Sequence, residues 1–439
     1  MMIDKSTSQS SRDFPSFSIT ARSVEERDSL ITMMCLAGKR ERNPAPIKII
    51  MLNIEFPPVG GGAATANYHL LKSLSSDRSL NIDLITTSPN RQFKVEKFSD
   101  HITIYRLGVR KKSLYYWTTY ELFQWSYRAW LLADSLSKKN RYDICHCWFG
   151  WPPGVIGYLL RKRFPYIVSL RGSDVPGYNS RLKYLDRIFF KFLCQIVWRH
   201  SHAVVSNSQY LRNLAKNTCA KTNIQVIYNG VDSHRFYPGK RSKRIELNFM
   251  FVGRLIERKG LIYLLEAFKR LCAKHPGSRL QIVGSGPLQK KMKYFCRKNN
   301  ITERVRFVGG VPHAEMRTIY QQADVLVLPS LSESLSNAAL EAMACGLGLI
   351  TTDTGVAEIL RNNGIVVAPK SIHGLEEAML RYIEIPDLLR NHRWNCYCSV
   401  SQMTWSRIAH DYCSVYRKVL LPTLPQPNLE MVGSCQYGI

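Results

Sequence analysis

Short runs of β-branched and apolar residues recur along the chain from residue 47, separated by longer stretches in which apolar positions return at helical spacing. Continuous apolar runs of this length predict strands covered on both faces, and their alternation with helices predicts parallel sheets. A first series of predicted strands lies near 47–56, 81–87, 102–107, 143–148, 166–170, 203–207 and 225–228. A second begins at 248–252 and continues through 280–283, 305–308, 325–328, 349–352 and 365–367. Each series suffices for one doubly wound sheet, so the predicted fold class is α/β, two doubly wound Rossmann-like domains facing a cleft. The first domain is placed at 47–232 and the second at 247–395, joined by a linker at 233–246 that holds Pro238-Gly239 and a basic cluster. Ligands of open α/β sheets bind beyond the carboxyl ends of strands, which directs the search for chemistry to the cleft walls.

Length and composition agree with this division. The 439 residues exceed one ordinary core, and 45% hydrophobic with 21% charged residues is a globular composition. No apolar run is long enough to cross a bilayer. Charge changes the picture more. The net +28 is uneven: residues 47–230 carry 26 Lys and Arg against 10 acids, residues 231–439 carry 28 against 17, and residues 1–46 carry 7 against 6. Such an excess in one domain implies an anionic partner, whether a membrane face, a phosphorylated acceptor or nucleic acid; a basic surface that merely favours solubility is the alternative. The twelve cysteines form no framework, and the closest pairs, Cys145/Cys147 and Cys396/Cys398, are C-x-C rather than the C-x-x-C of zinc or redox sites. They read as reduced, buried thiols of a cytosolic protein, and no metal site is expected. The leader at 1–46 is polar, with one short apolar patch at 31–37 behind Glu25-Glu26-Arg27-Asp28. That flank is wrong for a secretory signal, and the segment is expected to be disordered, as a tail is set apart at 421–439.

Three blocks carry candidate chemistry. Glu55-Phe56-Pro57-Pro58-Val59-Gly60-Gly61-Gly62 closes the first strand and leads into a helical stretch at 63–74. Successive glycines let the backbone approach a ligand and a helix start presents free N–H groups, so Gly61 and Gly62 are phosphate candidates, although a glycine turn before a helix is as often structural. In the second domain Leu328-Pro329-Ser330 ends a strand, Ser332-Glu333-Ser334-Leu335-Ser336 forms a loop, and 337–344 reads as a helix with small residues in its first turn. Ser336, Asn337 and Ala338 then offer a seat for a diphosphate, with unpaired N–H groups expected on Asn337, Ala338 and Ala339. Glu341, one turn in, can accept hydrogen bonds from a vicinal diol such as ribose, and Glu333 can reach hydroxyls beyond the phosphates; taken blandly, both are solvated acids. A departing nucleoside diphosphate also needs cations. In Gly253-Arg254-Leu255-Ile256-Glu257-Arg258-Lys259-Gly260, Arg254 at a strand end and Lys259 before the next helix can converge on phosphates as fork and point charge.

In this order the blocks resemble the family-4 glycosyltransferases, retaining enzymes of the two-domain GT-B fold. The likeness runs from 47 to 416 and is most specific where Glu333-x7-Glu341, inside Ser-Glu-Ser-Leu-Ser-Asn-Ala-Ala-Leu-Glu-Ala-Met-Ala-Cys-Gly, matches the Glu-x7-Glu signature. Gly253-Arg254-Leu255 with Lys259-Gly260, Val283-Gly284-Ser285-Gly286-Pro287, and Ile227-Tyr228-Asn229-Gly230-Val231-Asp232 are similar to other family blocks. The resemblance implies Glu341 on the ribose, Arg254 and Lys259 on the diphosphate, Gly284 among the donor contacts, and Glu333 on the donor sugar; Glu333, Arg254 and Lys259 become the catalytic candidates. It makes the first domain acceptor-binding and the second nucleotide-sugar-binding, and implies a closing helix within 396–420 that crosses back to the first domain. Two departures stand out. Where the family commonly has His-Gly-x-Asp, this chain has Arg171-Gly172-Ser173-Asp174, and a guanidinium cannot accept a proton. Arg171, Asp174 and His146 are therefore acceptor or phosphate candidates. Gly346-Leu347-Gly348 also lacks the usual Pro at its third position, a structural change.

The resemblance further implies front-face attack, with the acceptor hydroxyl entering on the side from which the diphosphate leaves, and no metal or other cofactor. Tyr115, Tyr116, Trp117, Tyr120, Phe123, Trp125, Tyr127 and Trp130 stand beside Arg110-Lys111-Lys112, and 181–198 mixes basic and aromatic residues similarly. Such a segment lies in a membrane interface or is a core helix with some exposed rings. Joined to the charge of the same domain, it leads to the expected partners: a nucleotide-sugar donor, a saccharide or lipid-linked acceptor of surface polysaccharide or glycolipid synthesis, and an anionic membrane surface on the cytoplasmic side. Nucleic acid is not expected, because no reading element accompanies the charge. A catalytically silent scaffold on the same fold, prompted by Arg171, and a sugar-nucleotide epimerase of similar fold remain as rivals.

Overall fold

The computed structural model describes residues 45–179, 189–239, 246–360 and 362–421. The leader to residue 44, the basic cluster of the linker at 240–245, part of the second basic aromatic stretch (180–188) and the tail from 422 lie outside the described residues. The first domain is built from β1 (Ile47–Asn53), α1 (Gly62–Leu74), β2 (Leu80–Thr87), β3 (Lys94–Ser99), β4 (Ile102–Leu107), α2 (Thr119–Lys139), β5 (Ile144–Trp148), α3 (Pro153–Leu160), β6 (Tyr166–Leu170), α4 (Lys191–Arg199), β7 (Ala203–Ser206), α5 (Gln209–Lys216) and β8 (Ile224–Val226). The second holds β9 (Asn248–Val252), α6 (Leu261–Lys274), β10 (Arg279–Val283), α7 (Gln289–Lys298), β11 (Val305–Gly309), α8 (Met316–Tyr320), β12 (Val325–Leu328), α9 (Asn337–Ala344), β13 (Gly348–Thr352), β14 (Ile365–Val367) and α10 (Ile372–Glu384). Two further helices follow, α11 (Pro386–Ser401) and α12 (Trp405–Leu420).

The first sheet has the order β3-β4-β2-β1-β5-β6-β7-β8 and the second β11-β10-β9-β12-β13-β14. Every pairing is parallel except that of β3 with β4. In both sheets the order reverses beside the first strand, between β1 and β5 and between β9 and β12, and each reversal opens a crevice at the carboxyl ends. β3 is a correction to the strands expected from the pattern. Its sequence, KVEKFS, turns only Phe98 inward, against Phe56 and Tyr68, and it exists as a half-exposed edge strand held by β4.

Strand alternation divides the second domain into two cores. Phe249, Phe251, Leu280, Ile282, Val325 and Val327 face Leu264, Phe268, Met379 and Tyr382 on one side, while Met250, Val283, Leu326 and Leu328 face Leu340 and Met343 on the other. Successive residues of one strand thus serve opposite layers, which is why the strands read as unbroken apolar runs.

The closing helix, expected around 405–416, lies at the C-terminal end of the 396–420 segment. α11 ends at Ser401 and α12 begins anew, with the Thr404 hydroxyl accepting from Arg407 N at 3.3 Å. On α12, Trp405, Ile408, Tyr412 and Tyr416 recur on one face and enter the core of the first domain, not the second. Trp405 stacks on His69 of α1 with ring centroids 5.5 Å apart. Tyr416 OH meets His146 Nδ1 at 2.9 Å, His146 Nε2 meets Ser169 Oγ at 2.8 Å, and Ser169 Oγ lies 3.2 Å from Tyr412 OH. Where the chain crosses between domains the two passages touch: Val231 N donates to Met403 O at 2.8 Å. Replacing the fully buried Tyr416 by Ala empties this junction and strands His146, and should lower stability by about 3 to 5 kcal/mol in chemical denaturation. A loss below about 1 kcal/mol would show that α12 is not docked as described.

Candidate active site

The two crevices face each other across a cavity of about 470 Å³. Its first-domain wall begins with the glycine loop. Gly60 has φ +103, and a Cβ there would meet Glu55 Cβ at 2.5 Å, whereas a Cβ on Gly61 would meet nothing within 4 Å. One glycine is thus demanded by the turn and the next leaves open space on the cavity side. Gly60 N donates to Leu114 O at 2.8 Å, which ties the loop to the aromatic segment ahead of α2. That segment is pinned by Lys111, whose Nζ donates to Tyr116 O at 2.8 Å over the Trp117 ring, and by Glu121 in a capping box with Thr118. Tyr115 and Tyr116 are thereby set on the cavity wall.

The opposite wall gathers cations. Arg254 follows β9, and Arg258 and Lys259 occupy a short 3-10 turn before α6. Lys259 Nζ donates to Glu333 Oε2, and Arg258 Nη1 lies 3.9 Å from the same oxygen. Burial alone would raise the Glu333 pKa, but the charges of Lys259 and Arg258 and the hydrogen bond from Lys259 outweigh it and hold the carboxyl below its ordinary value. Burial, with the crowding of Arg258 and Arg254, pulls Lys259 down despite Glu333. Lys259 and Arg258 thus share one carboxylate, while Arg254 Nη1 reaches Tyr115 O at 3.4 Å and acts on Glu333 only through its charge, so the wall keeps a positive surplus. Gly284 carries φ +124, and a Cβ on it would meet Gly253 O at 2.0 Å, so the ends of β9 and β10 close together only because no side chain intervenes.

α9 points its start at the cavity. Ser336 is its N-cap without a side-chain cap bond, and Ser336, Asn337 and Ala338 all line the space. Ala339 N donates to Ser336 O at 3.1 Å, so of the three N–H groups expected to be free, those of Asn337 and Ala338 lack a partner among the described residues. Asn337 Nδ2 donates to Gly62 O at 3.0 Å and its Oδ1 accepts from Asn229 Nδ2 at 2.8 Å, joining this helix start to the glycine loop across the cleft.

The structure brings Gly61, Gly62, Arg171, Arg254, Lys259, Gly284, Glu333, Ser336, Asn337 and Ala338 onto one cavity and leaves Glu341, Asp174 and His146 off its lining. Glu341 Oε1 meets His313 Nε2 at 2.8 Å and Oε2 accepts from Tyr320 OH at 2.9 Å. Asp174 gives its oxygens to the backbone N–H groups of Gly150, Arg171 and Gly172 at 2.6 to 2.9 Å, the work of a loop organiser. His146 sits inside the sheet with both ring nitrogens engaged, and burial, followed by the charge of Arg171, lowers its pKa to about 3. Sequence reasoning gave no role to Arg258, Asn229 or Tyr178. Arg258 lay within the quoted basic block, and Asn229 within an Asn-Gly after a predicted strand. Tyr178, whose OH accepts from Arg258 Nη1 at 2.9 Å and Ser334 N at 3.2 Å across the cleft, carried no signal.

Residues 60–235 match the family model for Glycosyltransferase Family 4 and residues 235–397 that for Glycosyl transferases group 1. With both domains matched, the chain belongs to the family-4 type of glycosyltransferases. It is 24% identical over 379 residues to an uncharacterised glycosyltransferase of Methanocaldococcus jannaschii, covering 85% of this chain and 99% of that one. Among solved structures it is similar to sucrose-phosphate synthase from Thermosynechococcus elongatus, with TM-score 0.74 at 22% identity over 85% of this chain and 99% of the other. It is also similar to HepE from Anabaena, solved in complex with UDP and glucose, with TM-score 0.66 at 17% identity over 84% and 99%. At these identities the structural likeness is one of fold, GT-B.

The buried pair yields a stability prediction. Lys259→Met or Glu333→Gln leaves its partner buried and poorly compensated, and each should cost about 3 to 5 kcal/mol. The double variant should cost less than the sum of the two, measured by denaturant titration. Because the folded Glu333 pKa is depressed, its contribution is present above the unfolded carboxylate pKa and fades as pH falls through the folded value. Glu333→Gln should flatten that acid limb; an unchanged limb would show that the pair does not bear on stability.

Proposed function

We propose that the chain moves a sugar from a nucleotide-sugar donor to a saccharide or lipid-linked acceptor, with retention and without a metal, at the cytoplasmic face of a membrane in surface polysaccharide or glycolipid synthesis. The observation that carries the donor reading is the charge of the second wall: Arg254, Arg258 and Lys259 against Glu333, beside a helix start with free N–H groups. Negative charge grows on a diphosphate as its bond to the sugar breaks, and fixed cations and amides along the cavity favour that state over the ground state. The acceptor oxygen bonds to the anomeric carbon as the diphosphate oxygen leaves it, and the hydroxyl proton passes to the departing diphosphate. Front-face attack of this kind fits a site whose lining carboxylates are both engaged, Glu333 by Lys259 and Glu55 by Gly61 N at 3.2 Å. Gly61 and Gly62 would close on the phosphates from the first domain. Glu341 would meet the ribose while keeping His313 and Tyr320, since each carboxylate oxygen has a second lone pair.

The membrane reading rests on α2. Trp125, Ala129 and Ala133 are buried on one face, while Tyr120, Phe123 and Tyr127 are more than 60% exposed and Trp130 is 36% exposed. Leu114 and the rings of Tyr115 and Tyr116 continue the exposed apolar surface to the cavity mouth, with Arg110, Lys112 and Arg128 exposed beside them. Rings that insert at a headgroup boundary and cations that meet anionic lipid suit a bilayer surface, and the acceptor's headgroup would then lie at the cavity. Among the described residues no helix is long and apolar enough to cross a membrane.

Thermal melts with UDP, GDP, ADP and their sugars test the donor site: at about one hundred times Kd, one of them should stabilise the protein by about 2.7 kcal/mol, and Lys259→Ala should remove the effect. Failure of all three nucleotide classes sinks the donor reading. Vesicle flotation tests the surface: the protein should float with anionic vesicles at low salt, less at high salt, and less again as Phe123→Ser/Tyr127→Ser. Absence of binding at low salt removes the membrane from the proposal.

A further inference from the structure

Arg171 is a buried cation with no salt bridge to an acid; the charge of Asp174 acts on it only from beyond contact. Arg171 is 9% exposed, yet it lines the cavity on the wall opposite Arg254, Arg258 and Lys259. Its guanidinium lies 3.4 Å from the centroid of the Trp148 ring. Nη1 donates to Asn229 Oδ1 at 3.1 Å, Nη2 donates to Tyr412 OH at 2.6 Å, and Nε–H has no partner. Both named acceptors are neutral. Among the described residues no carboxylate lies within 4.0 Å of the guanidinium, and Asp174, three residues on, spends its oxygens on backbone N–H groups.

A charge withdrawn from water with no carboxylate in contact is poorly compensated, even with Asp174 acting from a distance, and a neutral side chain could hold Asn229 and Tyr412 without that penalty. The other wall already supplies three cations for a diphosphate. The hydrogen bonds running from Arg171 to Asn229, from Asn229 to Asn337 and from Asn337 to Gly62 place this fourth cation beside the diphosphate seat but on the acceptor domain's side of it. We propose that Arg171 is the counter-ion for an oxyanion borne by the substrate itself apart from the donor diphosphate: the carboxylate of a uronic-acid sugar on the donor, or a phosphate on the acceptor. The proposal rests on the nucleotide-sugar reading of the cavity and adds to it a charge requirement that the reading alone does not contain.

Calorimetric titration of the full-length protein with pairs differing in charge tests it. UDP-glucose against UDP-glucuronate and GDP-mannose against GDP-mannuronate probe the donor; glucose against glucose 6-phosphate, with and without UDP or GDP, probes the acceptor. In at least one pair the charged member should bind the wild type about tenfold or more tightly, the scale of a charge-assisted hydrogen bond in a desolvated site. Arg171→Gln should bring that ratio near unity and Arg171→Lys restore part of it. Tyr412→Phe, which cuts the tether and keeps the charge, should retain the preference even if Arg171→Gln folds poorly. A donor pair responding identifies a uronate, and the acceptor pair a phosphate. No preference in any wild-type pair, a preference that survives Arg171→Gln, or an equal loss of UDP or GDP affinity in Arg171→Gln overturns the proposal. If no nucleotide raises the melting temperature, the donor reading fails by itself, and the acceptor pair without nucleotide still decides the role of Arg171.

Discussion

The cleft exists in this form because α12 belongs to the second half of the chain and to the core of the first domain. Trp405, Tyr412 and Tyr416 are large rings whose burial is available only against α1 and the first sheet, and that burial draws the chain back across the gap. Two backbone passages then lie side by side at Val231 and Met403, and the carboxyl ends of both sheets are held facing one another. The same helix supplies Tyr412 to Arg171 and Tyr416 to His146, so a packing contact on its outer side reaches the cavity wall on its inner side.

Within the cavity the dominant constraint is electrostatic. Lys259 and Glu333 are both buried and neither is tolerable alone; Arg258 lies 3.9 Å from the same carboxylate oxygen and is itself held by Ser332 O and Tyr178 OH. Sharing one carboxylate between Lys259 and Arg258, with Arg254 nearby, leaves the wall positive. A wall of this kind attracts a diphosphate and favours its departure with negative charge, a preorganised field rather than a rearranging one. Arg171 differs: it is buried and hydrogen-bonds to neutral acceptors, with Asp174 acting on it only from beyond salt-bridge contact.

The face of α2 shows how one helix resolves two readings that the sequence left open. Its aromatics were compatible with a core helix or with a membrane-seeking one, and the structure divides them: Trp125 goes inward with Ala129 and Ala133, and Tyr120, Phe123 and Tyr127 remain outside. Residue type alone could not make that division, because aromatics are favoured in both places and only the angle at which α2 meets the sheet separates them.

The sequence by itself determined the two α/β sheets, since runs buried on both faces must be apolar throughout, and it determined the glycine loop, the basic block and the Glu-x7-Glu helix, whose chemistry depends on residues adjacent in the chain. It did not disclose β3, whose charged edge sequence relies on β4, nor the break between α11 and α12 at Thr404. Tertiary structure alone decided which candidates meet. Glu333 joined Lys259 across 74 positions, Glu341 was taken up by His313 and Tyr320, and His146 and Asp174 were drawn off the cavity lining by partners far away or in the backbone. The reason is common to all of them: a polar group bonds to whatever the packing brings within about 3 Å, and that neighbour is set by the closing of the whole fold rather than by spacing along the chain.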